Sequence, residues 1–381
     1  MHPSALPCPS VSAPARAGRV AGLCAAALLA ACGGGGSDAT GTAASAPAAA
    51  SATAPSVTAQ ADTAAPLPAM ESLQASSGSS VPQAQRIAAA TATARSGSNP
   101  CQPIRPFYWE VGDQRQALAG GSVDGDAPAR NPAYAATTIM SIASASKWIY
   151  AAYVAQKRGG VLNDMDVKFL GFHSGYTAFD SCLPGQSIDV CLAYGHNGDY
   201  RPATDGPFYY NGGHMEKHAS LIGLGALDAA GLGAEVRGQL GRDLPFAYSQ
   251  AQPAGGVVTT ADAYARFLRK LLAGELQLAG LLGSHPSCTN PTTCAPGEAL
   301  YTPVPSSESW HYSLGHWVED DPAVGDGAFS SAGAFGFYPW IDAGKTWYGV
   351  LARRTDAEGT GYASAQCGRL IRKAWATGVA Q

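Results

Sequence analysis

Hydrophobic residues recur at regular spacings after about residue 100 and show no such order before it. Tyr108-Trp109-Glu110-Val111 and Gln116-Ala117-Leu118-Ala119 flank a Gly-Asp turn region, which predicts a β-hairpin. Trp148, Ile149, Ala152 and Tyr153 recur at helical spacing and predict a helix over Ser146–Lys157, stopped by Gly159-Gly160. Residues 165–210, rich in Gly, Pro, Asp and aromatic residues, read as a long, loop-dominated stretch, and 215–230 as helix. A second clear helix spans 260–272, capped by Thr259 or Thr260, with Ala263, Phe267, Leu268 and Leu271 as its apolar face. Segments 311–318, 334–342 and 346–353 predict consecutive antiparallel strands, and 363–375 a last helix. A hairpin, then helices, then strands and a helix predict an α+β fold. Its antiparallel sheet would combine N- and C-terminal strands, packed by helices, with a mainly helical lobe inserted between them.

The first hundred residues call for a different reading. Arg16 and Arg19 precede an apolar run from Val20 to Ala31. That run is short of the ~20 residues that span a bilayer, and it has the form of an export signal. It ends in Leu29-Ala30-Ala31-Cys32, followed by four glycines, which resembles a bacterial lipobox. Residues 1–31 are therefore expected to be a lipoprotein signal peptide, with Cys32 diacylated as the membrane anchor. Gly33, where the inner-membrane pattern has Asp, points to the outer membrane. Residues 32–98, dominated by Ala, Ser, Thr, Gly and Pro, are expected to form a disordered tether, in which a helix over Gln83–Ala94 would be marginal by itself. The folded domain is expected over 99–381.

Composition narrows the partners. Among 381 residues only 14% are charged and the formal net charge is -4, so nucleic acid is not an expected partner. Cys101, Cys182, Cys191, Cys288, Cys294 and Cys367 remain after the anchor, an even set that fits disulfides in an exported protein. Pairs Cys182–Cys191 and Cys288–Cys294 close the shortest loops. They leave Cys101 for Cys367. No Cys-x-x-Cys pair speaks for zinc.

Three short motifs carry chemistry. Ser144-Ala145-Ser146-Lys147 puts a hydroxyl and an amine on one face of a starting helix. A serine is a weak nucleophile until a base takes its proton, and lysine serves as that base only when neutral. Ser-x-x-Lys is common, and a capping serine with a surface lysine has the same form. Tyr209-Tyr210-Asn211 follows, where Tyr209 can shuttle a proton and Asn211 can orient the lysine and a substrate carbonyl. A buried aromatic pair before an Asn-Gly turn is the plainer account. Ser331-Ala332-Gly333 opens the predicted strand at 334, and its glycine lets backbone approach a substrate closely.

In this order the three elements resemble the Ser-x-x-Lys, Tyr-x-Asn and Lys/His-x-Gly triplet of the serine β-lactamase and penicillin-binding-protein superfamily, which includes class C β-lactamases, D-alanyl-D-alanine peptidases and family VIII esterases. Pro253-Ala254-Gly255-Gly256-Val257-Val258-Thr259-Thr260-Ala261-Asp262 and Tyr312-Ser313-Leu314-Gly315-His316-Trp317 look like further segments of that family. The resemblance covers residues 100–381 and implies a β-lactamase/transpeptidase-like fold. It implies Ser144 as the acylated nucleophile, Lys147 as its activator, Tyr209 as general acid and base, and Asn211 as an orienting group. The N–H groups of Ser144 and Ala334 would form the oxyanion hole, and Ser331, Ala332, Gly333 and the nearby His214 would contact substrate. No cofactor or metal is implied.

One departure matters. Ser331 stands where β-lactamases and peptidases of the family carry Lys, so no cation is provided there for a substrate carboxylate. A neutral ester or amide is the expected substrate, which makes a carboxylesterase or amidase the first reading. A β-lactamase or D-alanyl-D-alanine carboxypeptidase acting on β-lactam or peptide is the alternative, and a non-catalytic envelope-binding module on the same fold is a third. His214 and His218 sit at i and i+4, a zinc-gripping spacing, yet Glu216 is misplaced for a metalloprotease base. A polar helix stripe accounts for them, as a solvated loop does for Glu319, Asp320, Asp321 and Asp326.

Overall fold

The computed structural model describes residues 81–125, 134–357 and 359–381. The expected signal peptide, the anchor at Cys32 and the tether up to residue 80 lie outside them.

The fold is α+β. Strands β1 (Phe107–Asp113) and β2 (Ala117–Val123) form the predicted hairpin. Later in the chain come β3 (Met140–Ser141), β4 (Phe208–Tyr209), β5 (Ala247–Tyr248), β6 (Val257–Thr259), β7 (Ser287–Cys288) and β8 (Ala299–Tyr301). The C-terminal part supplies β9 (His311–Ser313), β10 (His316–Glu319), β11 (Ala328–Ser330), β12 (Tyr338–Ile341) and β13 (Trp347–Ala352). Eight of these form the main sheet in the order β2-β1-β13-β12-β11-β10-β9-β7. β1 pairs antiparallel with β13, so the two ends of the domain share one sheet and the helical lobe is inserted between them.

Helices cover both faces of that sheet. Successive strand residues point to opposite faces. In β13, Trp347 packs its ring against Trp375, while Tyr348 accepts a hydrogen bond from Arg269. Trp375 belongs to α8 (Thr360–Thr377) and Arg269 to α7 (Ala261–Leu272), so these two helices lie on opposite faces. Thr260 caps α7 through a hydrogen bond from the Ala263 N–H. The lobe adds α2 (Ser146–Lys157), α3 (Asp164–Leu170), α4 (Ile188–Leu192), α5 (Gly213–Ala219) and α6 (Ala229–Leu240). Ten consecutive residues of α2, from Ser146 to Ala155, are buried, which makes it the central helix of the lobe.

The folded body begins before residue 99. Helix α1 (Gln83–Ala94) packs on α8, burying Ala89, Ala90, Thr93 and Ala94. Gln85 and Arg86 donate to the carbonyls of Gly378 and Trp375, and Asn99 donates to that of Gln381. A 12-residue helix that would fray alone is held by these tertiary bonds. The disulfide Cys101–Cys367 fastens the same junction, and Cys182–Cys191 and Cys288–Cys294 close short loops, which are the expected pairings.

Three local expectations change. The helix predicted over 215–230 is two helices, because Gly223 adopts φ 90° and breaks the chain between α5 and α6. The strand predicted over 311–318 is the hairpin β9–β10. Leu314 and Gly315 turn it at φ 40° and 82°, with Gly315 seated against the Lys147 carbonyl and Ala151 of α2. The strand predicted to start at 334 starts at Tyr338, preceded by a tight turn in which Gly336, at φ 101°, donates to the Gly333 carbonyl.

Candidate active site

Ser144 lies in a 3₁₀ turn (Ala143–Ala145) that runs directly into α2. Ala143, just before it, holds φ 45°, a left-handed conformation that disfavours a residue with a Cβ. Two contacts stabilise that conformation from outside. Ser146 Oγ accepts the Val257 N–H of β6 at 3.1 Å, and the Tyr264 hydroxyl of α7 donates to the Ala145 carbonyl at 2.9 Å. The turn that carries Ser144 is therefore clamped to the small sheet β3-β6-β5 and to α7.

One helical step beyond, Lys147 is 5% exposed. Its Nζ lies 3.0 Å from Ser144 Oγ and 2.9 Å from the Ala254 carbonyl, to which it donates. The predicted pair thus meets in space. Both residues line a cavity of about 90 Å³, with Tyr210, Asn211, Ala334 and Phe335.

Tyr209, expected as the proton shuttle, is not among the lining residues; its neighbour Tyr210 is. The reason is the strand period. Tyr209 ends β4, where its backbone pairs with β8 and its ring packs 5.3 Å from that of Tyr301. The next residue turns to the other side, where the Tyr210 ring centroid lies 5.0 Å from Lys147 Nζ. Asn211 lines the cavity, but its amide shapes the loop: Nδ2 donates to the Phe179 carbonyl and Oδ1 accepts the Gly213 N–H.

His214 does not reach substrate space. It is fully buried, stacked on Phe172, with Nδ1 2.6 Å from Ser174 Oγ and Nε2 2.9 Å from the Tyr209 carbonyl. Burial holds its pKa down to about 3, so it is neutral and ties β4 to α5. His218 sits between Tyr150 at 2.8 Å and Asp166 at 3.0 Å, so the two histidines of the zinc-like spacing serve separate networks. The acidic run at 319–326 is a solvated loop only at Asp320 and Asp326, which are exposed; Glu319 and Asp321 are buried. Glu319 is buried on Arg372, Asp320 contacts His311, Asp321 caps a turn and Asp326 bonds Arg372.

Ser331, Ala332 and Gly333 follow β11, and none of them lines the cavity. Ser331 is 3% exposed and its hydroxyl donates to the Ser144 carbonyl at 3.1 Å. The Ser331 hydroxyl is thus spent on holding the backbone of Ser144. A Cβ on Gly333 would meet the Ile142 carbonyl oxygen at 2.1 Å, so only glycine permits this approach. Ala334, just beyond, is exposed in the cavity, and its N–H has no acceptor among the described residues, as an oxyanion donor requires. Gly333→Ala is expected to push the 331–335 segment away from Ser144 and to lower kcat/KM at least tenfold, because a misplacement of about 1 Å can cost ~10²-fold. Steady-state ester kinetics on the folded variant checks this.

Sequence reasoning missed the far wall. Gln250 and Gln252 line the cavity and are 9% and 8% exposed. The signal was present: they adjoin the family-like segment that begins at Pro253. Glu216, fully buried behind Ala254, enters the sequence reading only as a glutamate misplaced for a metalloprotease base.

No protein-family model matches the chain, and no curated protein matches it in sequence. Solved structures match its fold. A penicillin-binding protein from Bacillus halodurans aligns at TM-score 0.51 and 12% identity, covering 70% of this chain and 96% of that one. Unliganded simvastatin synthase (LovD) from Aspergillus terreus aligns at 0.50 and 13%, covering 76% and 98%. SurE with D-Leu aligns at 0.50 and 15%, covering 78% and 77%.

Proposed function

We propose that this chain, whose fold is that of the serine β-lactamase/transpeptidase superfamily, is a serine hydrolase that acts through an acyl-enzyme on Ser144. The observation that carries the reading is the 3.0 Å approach of Lys147 Nζ to Ser144 Oγ, inside a cavity that also holds Tyr210 and Ala334. Lys147 takes the hydroxyl proton as Oγ attacks the acyl carbon. The N–H groups of Ser144 and Ala334 hold the oxyanion. Tyr210 passes a proton to the leaving oxygen or nitrogen, and water entering by the reverse sequence releases the acid and restores Ser144.

A neutral ester or amide is the substrate class the wall favours. Apart from the proposed base Lys147, no Lys, Arg or His is among the described lining residues, and Ser181, Ser249, Gln250 and Gln252 supply neutral hydrogen-bonding groups. The two glutamine amides on this wall can bond a polar acyl group. One observation favours the alternative of a β-lactam or a peptide carboxylate. The Arg354 guanidinium lies 5.2 Å over the ring of Phe335, at the cavity edge, and offers a cation from the neighbouring segment after β13. The enzyme is further proposed to act at the cell envelope, held by a lipid on Cys32, a reading supported by the Leu29-Ala30-Ala31-Cys32 run.

Intact-mass measurement after exposure to p-nitrophenyl esters, a penicillin and a chromogenic cephalosporin tests the proposal. A covalent acyl adduct is expected on wild type and none on Ser144→Ala, with turnover of esters exceeding that of the cephalosporin. Faster cephalosporin turnover would favour the alternative. Absence of any adduct on wild type would leave only the non-catalytic binding module.

A further inference from the structure

We infer that Glu216 is a positioning residue for Lys147, acting through Ala254. The inference rests on the reading of Lys147 as the base of Ser144. A neutral amine has two N–H groups and one lone pair, and it can take the serine proton only with the lone pair turned to Oγ. Something else must therefore engage an N–H. The Ala254 carbonyl does so at 2.9 Å. Ala254 is itself held from its other side, because its N–H donates to Glu216 Oε1 in a long bond of 3.4 Å. A chain of contacts thus runs from Ser144 to Lys147, Ala254 and Glu216, joining α2, the loop before β6, and α5.

The chemistry of Glu216 supports this assignment. It is fully buried, and Oε2 has no hydrogen-bond partner. A carboxyl used only as filler would be a costly choice there, since an apolar side chain fills space without desolvation cost. Burial pushes its pKa well above the carboxylate range, against the weaker effects of the Ala254 N–H and of Lys147. Burial thus favours its uncharged, protonated form. That state matters, because a carboxylate beside Lys147 would favour the ammonium form and remove the lone pair. The other titratable groups coupled to it electrostatically are Tyr150 of α2 and Tyr248 of β5, whose own burial keeps both phenols protonated. The Tyr248 hydroxyl, like Glu216 Oε2, is buried with no partner.

Comparison of wild type with Glu216→Gln, Glu216→Leu and Glu216→Met tests the inference, with kcat, KM and the pH profile read on one p-nitrophenyl ester. Gln keeps an acceptor for the Ala254 N–H and cannot ionise. It is expected to hold kcat within threefold and to leave the acid limb in place. Leu and Met remove the acceptor and are expected to lower kcat at least tenfold with KM within twofold; whichever of the two folds supplies the comparison, judged by its thermal midpoint. Loss of activity in Gln equal to that in Leu or Met would overturn the inference, as would full activity in either apolar variant. A shift of the acid limb in Gln would also overturn it, by showing that Glu216 acts as a charge. Lys147→Met separates the underlying reading: if that variant keeps its rate, Lys147 is not the base, whatever Glu216 does.

Discussion

Tyr210→Phe is expected to lower kcat on an ester or amide by about 10² to 10⁴, the range associated with loss of one positioned acid–base group. Tyr209→Phe is expected to leave kcat within threefold. The contrast isolates the phenol that faces the cavity from the one that faces β8. Tyr210 lies with its ring 5.0 Å from Lys147 Nζ, boxed by Phe172, Tyr312 and Trp317, so its ring and not that of Tyr209 faces the cavity that holds Ser144. Tyr209 spends its backbone on β8 and its ring on Tyr301. Single-turnover kinetics on a p-nitrophenyl ester and on the matching anilide would sharpen the result. An anilide leaving group needs its proton earlier and more completely, so Tyr210→Phe should harm the anilide more. Equal losses in the two variants, or a loss confined to Tyr209→Phe, would return the shuttle to Tyr209.

Why the motif could be found and its register could not is a question of range. Ser144 and Lys147 are three residues apart on a helix, so their meeting is set by local geometry, and the Trp148, Ile149, Ala152, Tyr153 spacing marks that helix in the sequence. The two short disulfide loops are local in the same sense. Two adjacent tyrosines at the end of a two-residue strand carry no such information. Which one faces Ser144 depends on β8, about 90 residues downstream, and nothing near Tyr209 records that partner. Ser331 shows the same limit. That it is not a cation is plain in the sequence; that its hydroxyl holds the Ser144 carbonyl depends on a contact across 187 residues. The hairpin at Leu314-Gly315 was hidden for another reason. Leu314 takes a left-handed conformation without a typical turn residue, and packing of the hairpin on α2 overrides local preference. Helix α1 was legible at Gln83–Ala94, but its place in the folded body was not, because the α8 surface that holds it lies nearly 300 residues away.

Arg372→Met is expected to destabilise the fold by about 3 kcal/mol or more, near the lower end of the range for breaking a buried ion pair by removing one partner. Arg372 is 1% exposed in α8 and reaches three groups at once. Its Nη2 bonds Glu319 at 2.8 Å, its Nη1 donates to the Tyr338 hydroxyl at 2.7 Å, and its Nε bonds Asp326. Glu319 and Tyr338 belong to β10 and β12, so one side chain ties the last helix across the sheet. Methionine fills much of the volume but leaves the Glu319 carboxyl buried with only Arg369, at 3.6 Å, as a cationic neighbour. That residual partner, itself drawn toward Glu308 at 2.9 Å, sets the expected loss at the low end. For a domain of this size the change corresponds to a fall in Tm of roughly 5 °C. Removing the stranded acid as well should restore most of it, because a well-packed apolar replacement for a buried pair is often neutral. Urea unfolding without reductant, applied to Arg372→Met and to the double variant with Glu319→Leu, measures both quantities. A single variant within about 1 kcal/mol of wild type would mean that water or Arg369 neutralises Glu319 unaided. A double variant no better than the single would place the cost in lost packing, since the arginine stem covers apolar surface as well. The turn at 333–337 that carries Ala334 is anchored by β12, so a softened α8 junction should also raise the mobility of the oxyanion donor and lower kcat before the fold is lost.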